Sequence, residues 1–391
     1  MFDPFNIVVI LFFLIMLSVL VAAHELGHYL TARQMGMAVE EFAIGMGPKV
    51  ATYARKAHIA DDVEEETEFT IRALPIGGFV KIKGMIPEDD GSEVNVPGGF
   101  YSKKPLARLW VLFGGPLFSV LAGIAILVPV FMSQGVDRTL NEPIVGGVSR
   151  NDPADQAGLK ADDRIVKIGE VEPKTFLQLI DVVQANVGKT LNVVYERGGK
   201  RIETQLKPVQ AEVGIWGPSM EQPTETKLAG KIGIVPKRTK VKVGFGAAFT
   251  EAIGTPVLAV KGLIQMFKKP KTIENSVGGP GTMVLATNEA VRGGFVMALW
   301  LAGMLSISVG IFNLLPIHPL DGGQMIVAFT ELLRGGRRLS MQVQNAFASV
   351  GLLFLFTMII GVLFVDAKRI TRFFGDKPPA VAEPAPAQPA K

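Results

Sequence analysis

The chain of 391 residues contains no cysteine. Disulfides, thiolate metal sites and cysteine nucleophiles are therefore excluded. Histidine is almost as scarce, with four in the whole chain. Charged residues amount to 19%, and the net charge of +4 shows no strong excess of either sign. The basic residues are largely used by membrane topology, so the charge calls for no nucleic-acid partner.

Apolar residues are what the sequence has in quantity: 48% of the chain, with a mean hydropathy of +0.34. Four runs are long enough to cross a hydrocarbon core of about 30 Å. They are Ile7–Leu30, Leu109–Met132, Phe295–Ile317 and Phe347–Val365. The first reads as a retained span and not a cleaved leader, because its apolar run is long and no basic residue precedes it. Ten Lys and Arg residues lie between the first two spans, from Arg33 to Arg108, and none precedes the first. The positive-inside rule puts that connection in the cytoplasm and the N-terminus outside. Arg334, Arg337 and Arg338 after the third span agree. The basic "DAKRITRFFGDK" after the fourth does not; the first loop is weighted above it for its larger bias.

Five regions follow. Residues 1–135 hold two spans and, between them, an acidic patch "DDVEEETE" followed by "FTIRALPIGGFVKIKGM". The partial alternation around Gly77 and Gly78 predicts a β-hairpin, either cytoplasmic or re-entrant beside the first helix. Residues 141–208 read as a soluble extracytoplasmic α+β domain: two strands, an amphipathic helix over "TFLQLIDVVQAN", and a closing hairpin through Gly198 and Gly199. The order "PA..AGL…DDRI..I.E" resembles a PDZ domain of the bacterial protease-associated kind, which implies binding of peptide C-termini by strand addition. Residues 209–294 form a connector without clear periodicity, except for 243–269. There Glu251, Pro256 and Lys261 argue for an amphipathic helix on the membrane surface and against a fifth span. Residues 295–370 hold the last two spans, and 371–391 are a Pro/Ala-rich tail expected to be disordered.

The chemistry starts from "HELGH" in the first span. On a helix His24 and His28 share a face, so two imidazoles can hold one Zn²⁺ while Glu25 takes the proton of an attacking water. Ionisable groups inside a membrane are functional by default. A catalytic zinc takes three protein ligands, and the spacing does not name the third. Glu40, Glu41 and the acidic patch are candidates on the cytoplasmic side. So are Asn313, His318 and Asp321 in "GIFNLLPIHPLDGGQ", where Pro316 and Pro319 distort the helix end and Gly322 and Gly323 permit close backbone approach.

"HELGH" together with "NLLPIHPLDG" resembles the paired signature of bacterial site-2 proteases of the RseP type, which are intramembrane zinc metalloproteases. The match extends to "GGP" (114–116), "PIGGFVKIKG", the PDZ insertion and "VGGPGTM". It implies a polytopic α-helical membrane protein of about four spans, with one inserted PDZ domain and a membrane-associated hairpin. It further implies His24, His28 and Asp321 as zinc ligands, Glu25 as general base, and Asn313 as a substrate or oxyanion contact. Single-span membrane proteins would be the substrates, pre-trimmed anti-sigma factors or leftover signal peptides among them. The enzyme would sit in the bacterial inner membrane with the PDZ domain in the periplasm. Three departures stand out: one PDZ domain where many relatives have two, Ser119 in place of a frequent Asn, and His318 in place of an apolar residue or Pro. A non-catalytic PDZ adaptor would have no use for Glu25. A zinc transporter would place acidic residues on several spans, which this chain does not.

Overall fold

The computed structural model describes residues 7–59, 63–86, 92–217, 226–268 and 278–375. In chain order the elements begin with α1 (Ile7–Gln34), β1 (Val39–Ile59), β2 (Val63–Ile82) and α2 (Pro105–Gln134). Next come β3 (Val136–Thr139), β4 (Val145–Val148), α3 (Pro153–Gln156), β5 (Arg164–Ile168), α4 (Phe176–Ala185), β6 (Leu191–Arg197) and β7 (Lys200–Leu206). Then follow β8 (Val209–Gly214), β9 (Thr226–Lys231), β10 (Ile234–Pro236) and β11 (Arg238–Val241). The chain continues with α5 (Phe245–Lys268), α6 (Pro280–Arg292), α7 (Phe295–Asn313), α8 (Asp321–Leu333) and α9 (Met341–Gly375). Two compact units result: Met1–Ser133 with Gly244–Lys391, and Gln134–Val243.

In the first unit, helices approach through glycine, as expected where apolar side chains gain nothing by leaving lipid. A Cβ on Gly27 would lie 2.1 Å from the Gly114 carbonyl oxygen, and one on Gly303 would strike Leu127. These contacts bring α1 to α2 and α2 to α7. Among the described residues five helices are long and apolar enough to cross a membrane, one more than the four runs read from the sequence. The addition is Phe245–Gln265 within α5.

The hairpin is longer than expected and starts earlier. Residues 69–82 pair with β1, not with themselves, in a register running from Ile59 opposite Val63 to Val39 opposite Ile82. The ribbon bends near Gly45, Gly47 and Gly77, all at positive φ, where L side chains are strained. It thereby folds back, so that Glu41–Ile44 also lie beside Glu68–Ile71. Residues 78–82 form the outer edge of this sheet. The start of the acidic patch, 61–62, lies outside the described residues.

The second unit has an ordinary water-soluble core. Phe176, Leu179, Ile165, Ile168, Val193 and Tyr195 are buried together. Helix α4 begins where Thr175 accepts a hydrogen bond from the Gln178 backbone N–H, a side-chain N-cap. Strands β5, β6 and β7 form an antiparallel sheet, and the β6–β7 turn uses Gly198 and Gly199 at positive φ, as the sequence implied. The domain boundary differs. Four strands fall in the supposed connector: β8 pairs with β9, β10 with β4 and β11 with β3. Strands β10 and β11, of three and four residues, carry no periodicity and pair far upstream, so local sequence gives no sign of those two, whereas β8 and β9, six residues each, pair with one another. The unit therefore closes at Val243, not at 208. At the other end α9 runs to Gly375, into the first residues of the expected tail, and 376–391 lie outside the described residues.

Candidate metal centre

His24 and His28 stand one turn apart on α1, both buried. What faces them is α2, and its glycines set the distance. A Cβ at Gly115 would lie 2.2 Å from His28 Nε2 and 2.7 Å from His24 Nε2, so only glycine leaves room for both rings.

Each ring is held by its other nitrogen. His28 Nδ1 lies 2.8 Å from the Val111 carbonyl oxygen. A carbonyl only accepts, so Nδ1 carries the proton and Nε2 keeps its lone pair. His24 Nδ1 lies 2.9 Å from Ser119 Oγ, and Ser119 is fully buried. Such outer contacts fix tautomer and orientation in histidine metal sites.

The third donor comes from the far end of the sequence. Helix α7 stops at Asn313, the chain turns through Pro316 and Pro319, and Asp321 opens α8. A Cβ on Gly322 would sit 2.3 Å from the Leu314 carbonyl oxygen, and one on Gly323 would sit 2.5 Å from the His318 amide nitrogen, so the turn folds tightly over this helix start. Asp321 Oδ2 thereby lies 3.0 Å from His24 Nε2 and 3.3 Å from His28 Nε2, with the two Nε2 atoms 3.2 Å apart. Donors about 2.0–2.1 Å from a tetrahedral zinc stand about 3.3 Å apart, so this triangle matches one face of the tetrahedron. A carboxylate oxygen facing the Nε2 lone pair of His28 repels it unless a metal ion or a proton lies between the donors. Among the described residues no other group of His, Asp and Glu side chains converges in this way.

A cavity of ≈250 Å³ opens beside the triangle. Glu25 and Asn313 line it, as do Val80 and Ile82 from the outer edge of the hairpin. Val80 and Glu25 thus line the same cavity, the strand edge beside the carboxylate. Asn313 donates one Nδ2 hydrogen to the Val309 carbonyl at 3.0 Å, which leaves the second for a ligand.

The remaining candidates lie elsewhere. Glu40 pairs with Lys81, and Glu41 with Arg72, both on the hairpin. Partial burial works to raise the Glu41 pKa, but hydrogen bonds from Thr70 and Arg72 outweigh it and hold the carboxyl below its ordinary value. His318 is not in the triangle. It packs edge-on against Phe347, where burial lowers its pKa, and it lines a second cavity. Sequence reasoning missed Gly115 and the Val111 carbonyl, and left the Ser119 contact open. The "GGP" string was the available signal for the first.

Comparison with known proteins agrees with this geometry. The profile described as Peptidase family M50 matches residues 12–358. A Helicobacter pylori protein assigned as a zinc metalloprotease is 33% identical, covering 91% of this chain and 98% of its own length. One from Rickettsia conorii, assigned likewise, is 31% identical over 92% and 98%. The assigned protease Eep of Enterococcus faecalis is 28% identical over 93% and 99%. Among solved structures, the PDZ domain of an SdrC-like protein from Listeria monocytogenes is 24% identical, covers 26% of this chain and 93% of its own, and gives a TM-score of 0.18. With the matched region running from the first span to the last, the chain belongs to peptidase family M50, the site-2 proteases, and is a multi-pass zinc metalloprotease of the membrane.

Proposed function

We propose that the enzyme cleaves transmembrane segments of single-span membrane proteins, with His24, His28 and Asp321 as zinc ligands and Glu25 as general base. The observation that carries this reading is the 3.0–3.3 Å triangle of donors with Glu25 in the adjoining cavity, on helices that are apolar elsewhere. Zinc held there would acidify a water and stabilise the oxyanion that forms when water attacks a peptide carbonyl. Glu25 accepts the proton of that water and passes it to the leaving amine. The free N–H of Asn313 donates to the substrate carbonyl or to the oxyanion.

A transmembrane helix hides its carbonyls, so the substrate must unwind at the site. The edge 78–82 offers it a strand to pair with, and the exposed Val50, Tyr53, Ile71 and Leu74 on the hairpin suit contact with lipid. Ile82→Pro removes one edge donor and leaves Val80 beside Glu25. It slows cleavage, whereas an unchanged rate would take the hairpin out of the mechanism.

Helix parity sharpens the topology. The triangle requires α1 and α7 to reach it in the same direction, whichever side is cytoplasmic. After α1 and α2 the chain is back on its starting side, so α5 makes no single crossing before α7. That supports a surface or re-entrant α5 and four spans. With the basic first loop in the cytoplasm, Gln134–Val243 lies in the periplasm of an inner-membrane enzyme and screens substrates by bulk or by a freshly cut C-terminus. Pre-trimmed anti-sigma factors and leftover signal peptides fit this description.

The test is Glu25→Gln beside His24→Ala, His28→Ala and Asp321→Ala, each scored for zinc content and for cleavage of a membrane-tethered reporter. Glu25→Gln keeps its zinc and loses about 10²–10⁴-fold in rate. The three alanine variants lose the metal. Full zinc in Asp321→Ala, or normal cleavage by Glu25→Gln, rejects the assignment.

A further inference from the structure

A second cavity of ≈370 Å³ adjoins the first, and neither the ligand set nor the general base uses it. It meets the first at one shared residue, Met85, and at the turn that precedes Asp321. On one side Val80, Ile82 and Met85 line the metal cavity, and Met85 also lines the second. On the other side Asp321, Leu320 and Pro319 line the first, and the next residue back along the chain, His318, lines the second. Helix α9 closes the far side: a Cβ on Gly351 would sit 2.4 Å from the His318 carbonyl oxygen, so the helix backbone lies directly on this turn. The two cavities are thus successive stretches of one groove between the hairpin and the turn that delivers Asp321.

The lining chemistry changes along that groove. Near the triangle it is imidazole and carboxylate. Farther along, Gln324, Gln344 and Asn345 present carboxamides. Gln344 uses its amide hydrogen on the Leu339 carbonyl, which leaves its oxygen as an acceptor. Arg108 also lines this stretch. It is almost fully buried and paired to Glu331 at 2.5 Å, yet its Nε–H has no acceptor. The Arg108–Glu331 and Arg338–Glu93 pairs cancel the local charge, so the stretch does not select an anion. Carboxamides that both donate and accept match a neutral polar chain with alternating N–H and C=O groups.

We infer that this second cavity is a substrate subsite, in which the unwound segment on one side of the scissile bond continues as extended chain past Met85, with its backbone read by Gln324, Gln344 and Asn345. The inference rests on the protease reading above and adds a place for the residues beyond the cut. It makes Gln324 and Asn345 determinants of binding and not of chemistry.

The chain's lack of cysteine makes the test clean. In a Glu25→Gln background, single cysteines are placed at Gln324, Asn345 and Val80, and at Phe329 on the exposed face of α8 as control. A single-span substrate carrying cysteines one at a time on both sides of the scissile bond is then crosslinked in membranes. Gln324→Cys and Asn345→Cys capture positions on one side only, Val80→Cys captures positions at the bond, and Phe329→Cys captures none. In the active enzyme Gln324→Leu raises KM about two- to tenfold with kcat and zinc content unchanged. Crosslinks at Val80 with none at Gln324 or Asn345 overturn the subsite and leave the protease reading intact. No crosslink at any position, together with no cleavage by the unsubstituted enzyme, sinks the protease reading instead. A fall in kcat or in zinc for Gln324→Leu would mark the residue as part of the metal site and also overturn the inference.

Discussion

The membrane unit and the Gln134–Val243 unit both bury large apolar side chains, but among the described residues buried polar side chains gather almost wholly in the first. In the second, the most buried side chains are large and apolar, Phe176, Ile165, Ile168 and Leu179 among them. In the first, His24, His28, Thr31, Ser119 and Ser306 are buried, while Ile7, Leu353 and Phe364 stand more than half exposed. Both follow one rule under different solvents. Water drives apolar area inward, so an aqueous domain is held by bulk. Lipid rewards no such burial, so helices meet where glycine and small residues allow close packing, and polar groups gather inside because lipid cannot solvate them. A zinc site built of imidazole and carboxylate is therefore compatible with the interior of the membrane unit, since that interior is already where polarity is kept.

Three variants and one control test the contrast. Gly115→Ala has the largest expected effect: one methyl would overlap both Nε2 atoms, so zinc content falls to background and cleavage is lost. Gly254→Ala on α5, where an added Cβ meets nothing within 4 Å, keeps full zinc and activity. Zinc retained in Gly115→Ala would mean that the donor triangle is not held as described. Phe176→Ala is next, destabilising the aqueous unit by about 3–5 kcal/mol in denaturant or thermal unfolding. Zinc content is unaffected, cleavage of a short pre-trimmed substrate persists, and cleavage of one with a bulky outer domain rises. Loss of zinc in this variant would show that the two units do not fold separately. The smallest effect belongs to Ser119→Ala, which removes the hydroxyl partner of His24 Nδ1 and leaves the helices packed. Chelator competition should give zinc affinity lower by about 10- to 100-fold. An unchanged affinity would show that helix packing alone orients His24.

Much of the site was legible because its chemistry is local or rare. His24, Glu25 and His28 sit within five residues, and the turn from Asn313 to Asp321 is marked by two prolines and two glycines. The hairpin was legible only in part. Residues 69–82 look like a strand pair when read alone, but their partner is 39–53, and nothing local announces a pairing across so long a ribbon. Strands β10 and β11 were invisible for the same reason, since they owe their shape to strands near residue 140. His318, which the sequence offers as a spare donor or a bystander near a helix end, is aimed by the turn at Phe347 and the second cavity.

By itself the sequence determined the solvent of each region, the helical period that stacks His24 over His28, and the inventory of groups from which a metal site had to be made. Composition and spacing decide these because hydropathy and the i, i+4 geometry are local properties. The tertiary structure alone decided the rest. It set the Asp321 carboxylate, which the family resemblance alone had singled out, against both imidazoles with Glu40, Glu41 and His318 elsewhere, placed Ser119 and the Val111 carbonyl on the two rings, required glycine at 115, and brought Val80 beside Glu25. Each of these joins residues from 55 to nearly 300 positions apart, and only the close approach of three helices and one sheet edge brings them together.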